Sequence, residues 1–381
     1  MKYLLALLAL LPLTASARVI HVGPGELVKT IAEAAQLARD NDVVEIAGGV
    51  YRGDVTTWLQ KRLTIRGVGQ RPVLEAAGRD AEGKAIWVIR NGDFTISNIE
   101  FRGARVADGN GAGIRFEKGK LRVVDCAFFD NQNGILTANF KDAQLEIDSS
   151  LFAQAPRQAS PLPHLLYVGR IALLRVVNSR FHGGYFGHLL KSRARVSDVR
   201  YNLLVDGEDG SASYEAEFPN GGQVTLVGNV LSQSRTTENP TVLAYGAEGQ
   251  VWPENYLRVV HNTFYSAGLM PSRFLHVFSD KFASPPTVMT RNNLLAGVGA
   301  FTANLVGKHQ GNYFVPTMVM GEPAVMDFTL SADSWLRGSV EPLGAELGNL
   351  QPAFEQAVPG RVTPIYPPQQ WAPGAVQRGR W

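Results

Sequence analysis

Along most of this chain apolar and polar residues alternate in short stretches, each ending in Asn, Gly, Ser or Asp. Val19-Ile20-His21-Val22 predicts a first strand. Between Glu26 and Asp40 the apolar residues Leu27, Ile31, Ala34, Ala35 and Leu37 recur with a helical period. Asn41-Asp42 closes that helix, and Val43-Val44-Glu45-Ile46 predicts a strand leading into the turn Ala47-Gly48-Gly49. Only strand-like pieces follow, and they resemble one another. Among them are Leu63-Thr64-Ile65-Arg66-Gly67, Phe94-Thr95-Ile96-Ser97-Asn98, Leu121-Arg122-Val123-Val124-Asp125-Cys126, Leu145-Glu146-Ile147-Asp148-Ser149-Ser150 and Leu174-Arg175-Val176-Val177-Asn178-Ser179.

A small or polar residue precedes a pair of apolar ones at Cys126, Ser150, Ser179, Asn202, Asn229, Asn262 and Asn293, with spacings of 24, 29, 23, 27, 33 and 31 residues. A period in this range, carried by strands, predicts a solenoid of β-coils in which each coil buries its inward residues only against its neighbours. The Asn series predicts an internal ladder, each side chain bonding to the next coil at a corner. A leucine-rich repeat would need a recurring Leu-x-x-Leu-x-Leu frame, and a sandwich has no reason for a repeated corner Asn.

On these residues the chain resembles the right-handed parallel β-helix of the pectin-lyase-like superfamily, over about residues 19–310. The resemblance implies an all-β solenoid, residues 18–310, with an N-terminal capping helix. Residues 311–381, rich in Pro, are then an irregular C-terminal cap. That superfamily includes uronate lyases, glycoside hydrolases, esterases, epimerases and non-enzymatic surface proteins, so the fold leaves the chemistry open.

Composition changes the picture in two places. Residues 1–17, MKYLLALLALLPLTASA, carry Lys2, an apolar run and the small residues Ala15-Ser16-Ala17, which predicts a cleavable signal peptide and a periplasmic or secreted protein. The single cysteine, Cys126, excludes an internal disulfide and thiolate metal clusters, and in an oxidising compartment it is expected to be buried. Of 381 residues 45% are hydrophobic, enough for a core, and a net charge of +3 does not suggest a nucleic-acid binder. No apolar run is long enough to cross a membrane.

The charge is concentrated. Arg157, Arg170, Arg175, Arg180, Lys191, Arg193, Arg195 and Arg200 fall in one stretch with Asp198 as its only acid, beside His164, His182 and His188. Inward charges do not suit a packed coil, so a basic band across adjacent coils is expected to bind anions. His164 to His188 and Tyr167 to Lys191 are both 24 residues apart, and the same step leads from Lys191 to Glu215 and from Arg193 to Glu217. With coils about 4.8 Å apart, His164 stacks on His188, and Tyr167, Lys191 and Glu215 form a second column.

Such a set suits uronate chemistry: a cation to neutralise the carboxylate, a base for the C5 proton, and a donor for the leaving oxygen. Arg193 or Arg195 is the candidate carboxylate fork, Lys191 or His188 the base, and Tyr167 or Tyr214 the donor. His164, Arg170, Glu215, Glu217, Asn220, Glu238 and Asn239 are candidate substrate contacts. The stretches Gly187-His188-Leu189-Leu190-Lys191-Ser192-Arg193-Ala194, Tyr214 with Pro219-Asn220-Gly221-Gly222, and Thr237-Glu238-Asn239-Pro240 resemble a branch of secreted bacterial parallel β-helix proteins. No zinc spacing is present, and no cofactor is expected, although Asp206, Glu208 and Asp209 are acidic enough for calcium to be conceivable.

The expected function is therefore a monomeric lyase cleaving an acidic polysaccharide by β-elimination, without nucleic acid or membrane as partner. The alternatives are a C5-epimerase and a non-catalytic polysaccharide-binding or matrix protein.

Overall fold

A computed structural model of the protein describes residues 17–158, 162–301, 306–358, 361–366 and 370–380. All of the expected signal peptide except Ala17 lies outside the described residues. Three parallel sheets run along a solenoid, and the chain visits them in the same order on every coil. Sheet 1 runs from Val19–Val22 to Lys308–Gln310, sheet 2 from Val50–Arg52 to Tyr313–Val315, and sheet 3 from Thr56–Trp58 to Gly299–Ala300. This is a parallel β-helix, as the repeat predicts.

The N-terminal helix is shorter than its apolar period suggests. It spans Ile31–Leu37, and Leu27 lies outside it, 97% exposed. The start is fixed chemically: Thr30 Oγ1 accepts from Glu33 N, and the Asp54 carboxylate accepts from Ile31 N and Ala32 N. These acceptors satisfy donors that an earlier start would have paired within the helix. Ile31, Ala34 and Ala35 are buried and cap the end of the core.

Inside the coils like residues lie over like. Phe101, Phe128, Phe152 and Phe181 stack at centroid distances of 5.1, 4.6 and 4.7 Å, each pair contributing about 0.5–1.5 kcal/mol beyond its buried area. The corner ladder forms as well. Cys126 N donates to Ser150 Oγ, Ser150 N to Ser179 Oγ, and Ser179 N to Asn202 Oδ1. From Asn202 onward each residue donates both N–H and Nδ2 to the next Oδ1, through Asn229, Asn262 and Asn293 to one further rung, Asn312. The residue before each rung, among them Asn178, Tyr201, His261 and Asn292, has φ between 49° and 65°, the left-handed bend that turns the corner. Cys126 is buried as expected, and burial pushes its thiol up to about 12.

The C-terminal segment covers part of sheet 2. Its Met320, Phe328, Leu330, Leu336 and Ala375 pack on Leu203, Val205, Val230 and Leu294 of sheet 2, burying those strands on both faces. Sheet 3 keeps a partly exposed outer face in its middle coils, where Tyr167, Lys191 and Tyr214 reach solvent.

Candidate active site

Four neighbouring strands of sheet 3 build the candidate site: His164–Val168, His188–Ser192, Tyr214–Phe218 and Thr241–Tyr245. In the first three, the first and fourth residues carry the chemistry, while residues between them enter the core, as Leu165, Leu166, Leu189 and Leu190 do. The fourth positions form the column Tyr167–Lys191–Glu217–Ala244, continued by His276. In the first, His188 pairs with Tyr214 and Thr241 with Arg273. The His164 and His188 rings lie 4.7 Å apart, and His188 stacks on Tyr214 at 5.0 Å.

The expected stacking of His164 on His188 and of Tyr167 on Lys191 is therefore present, but the next step is 26 residues rather than 24. Before Tyr214 the loop 206–213 has eight residues against five in 183–187, while the turn 193–195 has three against four in 169–172. That net gain of two puts Glu217, not Glu215, against Lys191. Glu215 instead takes the core position filled by Leu189 one coil earlier, is fully buried, and is not a substrate contact.

The basic stretch is also divided by the fold. Arg175 and Arg200 lie on sheet 1 beside Asp198, Arg180 and His182 lie on sheet 2, and Arg157 stacks on Tyr185. No continuous band forms, because successive strands of a coil belong to different faces. Lys191 and Arg193 join the site, and Arg170 and Arg195 are exposed in the turns at its edge. Asn220 is buried in the turn after Phe218, where its backbone carbonyl accepts from Val251 N and its side-chain Oδ1 has no hydrogen-bond partner among the described residues. Glu238 lies exposed at the rim and accepts from Ser213 Oγ, while Asn239 Oδ1 accepts from Thr241 N. Asp206 is buried on the Ala212 amide whereas Glu208 and Asp209 are exposed. Among the described residues no three His, Cys, Asp or Glu side chains are grouped to hold a metal.

Three residues of the site carried no sequence signal strong enough to find them. Glu248 reaches back from the turn after Tyr245, its carboxylate forked by Arg193 Nε at 3.0 Å and Nη2 at 2.8 Å, and 3.1 Å from Lys191 Nζ. Arg273 and His276 follow on the same columns one coil on, and only knowledge of the register would have placed them.

Burial sets the electrostatics. His164 Nδ1 accepts the His188 backbone N–H at 3.0 Å, so this neutral ring keeps its proton on Nε2. His188 Nδ1 is 3.0 Å from the same atom, so the two buried rings are in direct polar contact. Burial, with Lys191 and Arg193 nearby, lowers His164 to about 3, and burial with His164 and the same cations holds His188 well below its ordinary value. Both rings are neutral at neutral pH. Glu217 Oε2 lies 3.2 Å from His188 Nε2 and 3.0 Å from Lys191 Nζ, neither approach aligned as a hydrogen bond. Burial raises the Glu217 carboxyl despite Lys191. The Arg193 guanidinium packs over the Tyr167 ring and donates to its hydroxyl, which leaves the phenol proton free to point outward. A cleft of about 330 Å³ continues the face from Tyr167 past Asn139, Arg115 and Lys84, each cation there paired with Glu117. Larger cavities of about 460 and 480 Å³ lie against sheet 2 and contain none of these residues.

No protein-family model matches the sequence, and no curated protein matches it. Among solved structures, the chain is similar to the pectate lyase Pel9A, with a TM-score of 0.62 and 13% identity over 96% of this chain and 97% of that one. It is more distantly similar to the GH136 lacto-N-biosidase from Eubacterium ramulus, with a TM-score of 0.42 and 10% identity over 78% and 68%. For the A-module of the Azotobacter vinelandii mannuronan C-5 epimerase AlgE6 the TM-score is 0.38, with 12% identity over 75% and 93%. The protein has the parallel β-helix fold of pectate lyase Pel9A.

Proposed function

We propose that the protein is an exported lyase that cleaves an acidic, uronate-containing polysaccharide by β-elimination. The observation that carries this reading is the gathering of Lys191 and Arg193 over the buried Glu217–His188 pair, with Tyr167 and Tyr214 beside them, on the open face of sheet 3. The Pel9A likeness adds that a protein of this fold is a pectate lyase.

In this mechanism Arg193 binds the uronate carboxylate, which must be neutralised before its α-carbon can bear negative charge. Lys191 is the base that reaches substrate, since its side chain is 12% exposed against 7% for His188. It needs a lone pair, and the buried Glu217 carboxylate, 3.0 Å from Nζ, can take one ammonium proton. Neutral Lys191 then removes the C5 proton, the electron pair forms the C4–C5 double bond, and the C4–O4 bond breaks. A proton from the Tyr214 or Tyr167 hydroxyl goes to the departing oxygen. The cleft beside Tyr167 accommodates the next part of the polymer.

The test is absorbance of the purified mature protein with a panel of uronate polymers, because elimination leaves a conjugated unsaturated uronate. A rising signal that Lys191→Ala abolishes, with polymer binding retained, is expected. A flat trace on every polymer refutes elimination, and deuterium uptake at C5 without absorbance would identify epimerisation instead.

A further inference from the structure

In the free protein the two site cations already hold a carboxylate, and it is the chain's own. Glu248 arrives from two coils away, 55 residues from Arg193 in sequence. One oxygen contacts Arg193 Nε and Nη2 at 3.0 and 2.8 Å, and the other lies 2.5 Å from Nη2 and 3.1 Å from Lys191 Nζ. This two-pronged contact is the geometry in which a guanidinium binds any carboxylate.

The members of this cluster differ in depth. The Glu217 side chain is 5% exposed, Lys191 12% and Arg193 14%, but Glu248 is 40% exposed, so it is the outermost group over the cations. Its backbone is fixed independently of that contact. Gly246 N donates to Phe218 O, Glu248 N to Pro219 O, Gly249 N to Gly246 O and Val251 N to Asn220 O. The Glu248 side chain can therefore swing outward without moving the turn. Arg193 is held from behind, its carbonyl accepting from Trp252 Nε1 and its guanidinium lying 5.0 Å from the Tyr167 ring centroid. A cation pair covered by a carboxylate that is 40% exposed is an occupied anion site.

We propose that Glu248 is an exchangeable internal ligand of the Lys191–Arg193 site, displaced by the carboxylate of the incoming uronate. The displaced Glu248 makes binding a substitution of one carboxylate for another. A lone uronate then gains little, and a polymer whose neighbouring residues also make contacts gains enough to open the site. Glu248 thereby acts as a specificity-determining residue that discriminates against small anions. The inference rests on the carboxylate-binding half of the function proposed above and not on its elimination step.

The experiment is calorimetric titration of the whole mature protein and its Glu248→Gln variant with D-glucuronate, D-galacturonate and D-mannuronate, using methyl glucoside as a neutral control. Glu248→Gln is expected to bind at least one uronate about tenfold more tightly than the parent, without change toward the neutral sugar. The gain should vanish when Lys191→Ala is added. Thermal unfolding confirms that each variant is folded, and Glu248→Asp, which keeps the charge but shortens its reach, should give an intermediate affinity. Equal or weaker uronate binding by Glu248→Gln, or no binding by any variant, overturns the proposal. Because the readout is binding, failure of the polymer absorbance assay leaves this result distinct.

Discussion

Replacing Asp206 by asparagine should make the protein more stable at neutral and alkaline pH. Asp206 is fully buried at the corner between sheets 2 and 3, where its carboxylate accepts from Ala212 N at 3.2 Å and interacts with Ser234, contacts that only partly offset the burial. Burial raises it from 3.8 to about 7. Such a displacement changes the balance between its protonated and ionised forms by about 4 kcal/mol. Because the folded state holds this proton more tightly than the unfolded chain, the stability is full below about pH 4 and is lost as pH rises toward 7. Glu215 works in the same direction: burial and the neighbouring Asp206 raise it well above its ordinary value, and neither of its oxygens has a hydrogen-bond partner. The assay is denaturant unfolding of the parent, Asp206→Asn and Glu215→Gln at intervals from pH 4 to pH 9. The parent midpoint should fall across that range, each variant should flatten the fall, and Asp206→Asn should gain up to about 4 kcal/mol at pH 8. If the parent gains stability between pH 4 and 7, or the variants follow the same slope, the carboxyls are not paying a burial cost and the reasoning fails.

Other expectations follow from the ladder, the core and the site. Asn229→Ala removes an acceptor for Asn202 N and Nδ2 and a donor to Val199 O and Asn262 Oδ1, so thermal unfolding should report a loss of about 3 kcal/mol or more. Asn229→Ser should recover part of it, since Ser150 and Ser179 already serve as rungs. Cys126 should resist thiol reagents in the folded protein and react once denatured, and rapid labelling of the native state would contradict its burial. Tyr214→Phe should lower turnover on a cleaved polymer by about 100-fold with little change in KM, and an unchanged rate would transfer the donor role to Tyr167.

The solenoid was legible because its determinants are local and repeated. Each rung of the ladder announces itself by residue type, and every coil carries the same alternation, so one period reveals the rest. The column Tyr167–Lys191 was readable because His164 to His188 and Tyr167 to Lys191 share the same 24-residue step across one coil. Glu215 shows where that logic ends: in a parallel sheet the register depends on loop length, and two added residues sent an acid from the expected face into the core. Glu248 was invisible for another reason. It reaches the site from a turn, and the contact spans two coils, which no fixed period encodes.

The unequal loops have an evolutionary consequence. Ladder and core tie each coil to its neighbours, so added residues before sheet 3 are absorbed in a loop, and lengthening a loop costs little in closure entropy. An addition that the loop does not absorb instead slides the next strand along, and so selects which of its residues faces Lys191. Small insertions and deletions at this corner can therefore exchange one reactive group for another while the scaffold persists. An architecture that isolates folding from loop length in this way can change its chemistry by single indels rather than by accumulating many substitutions.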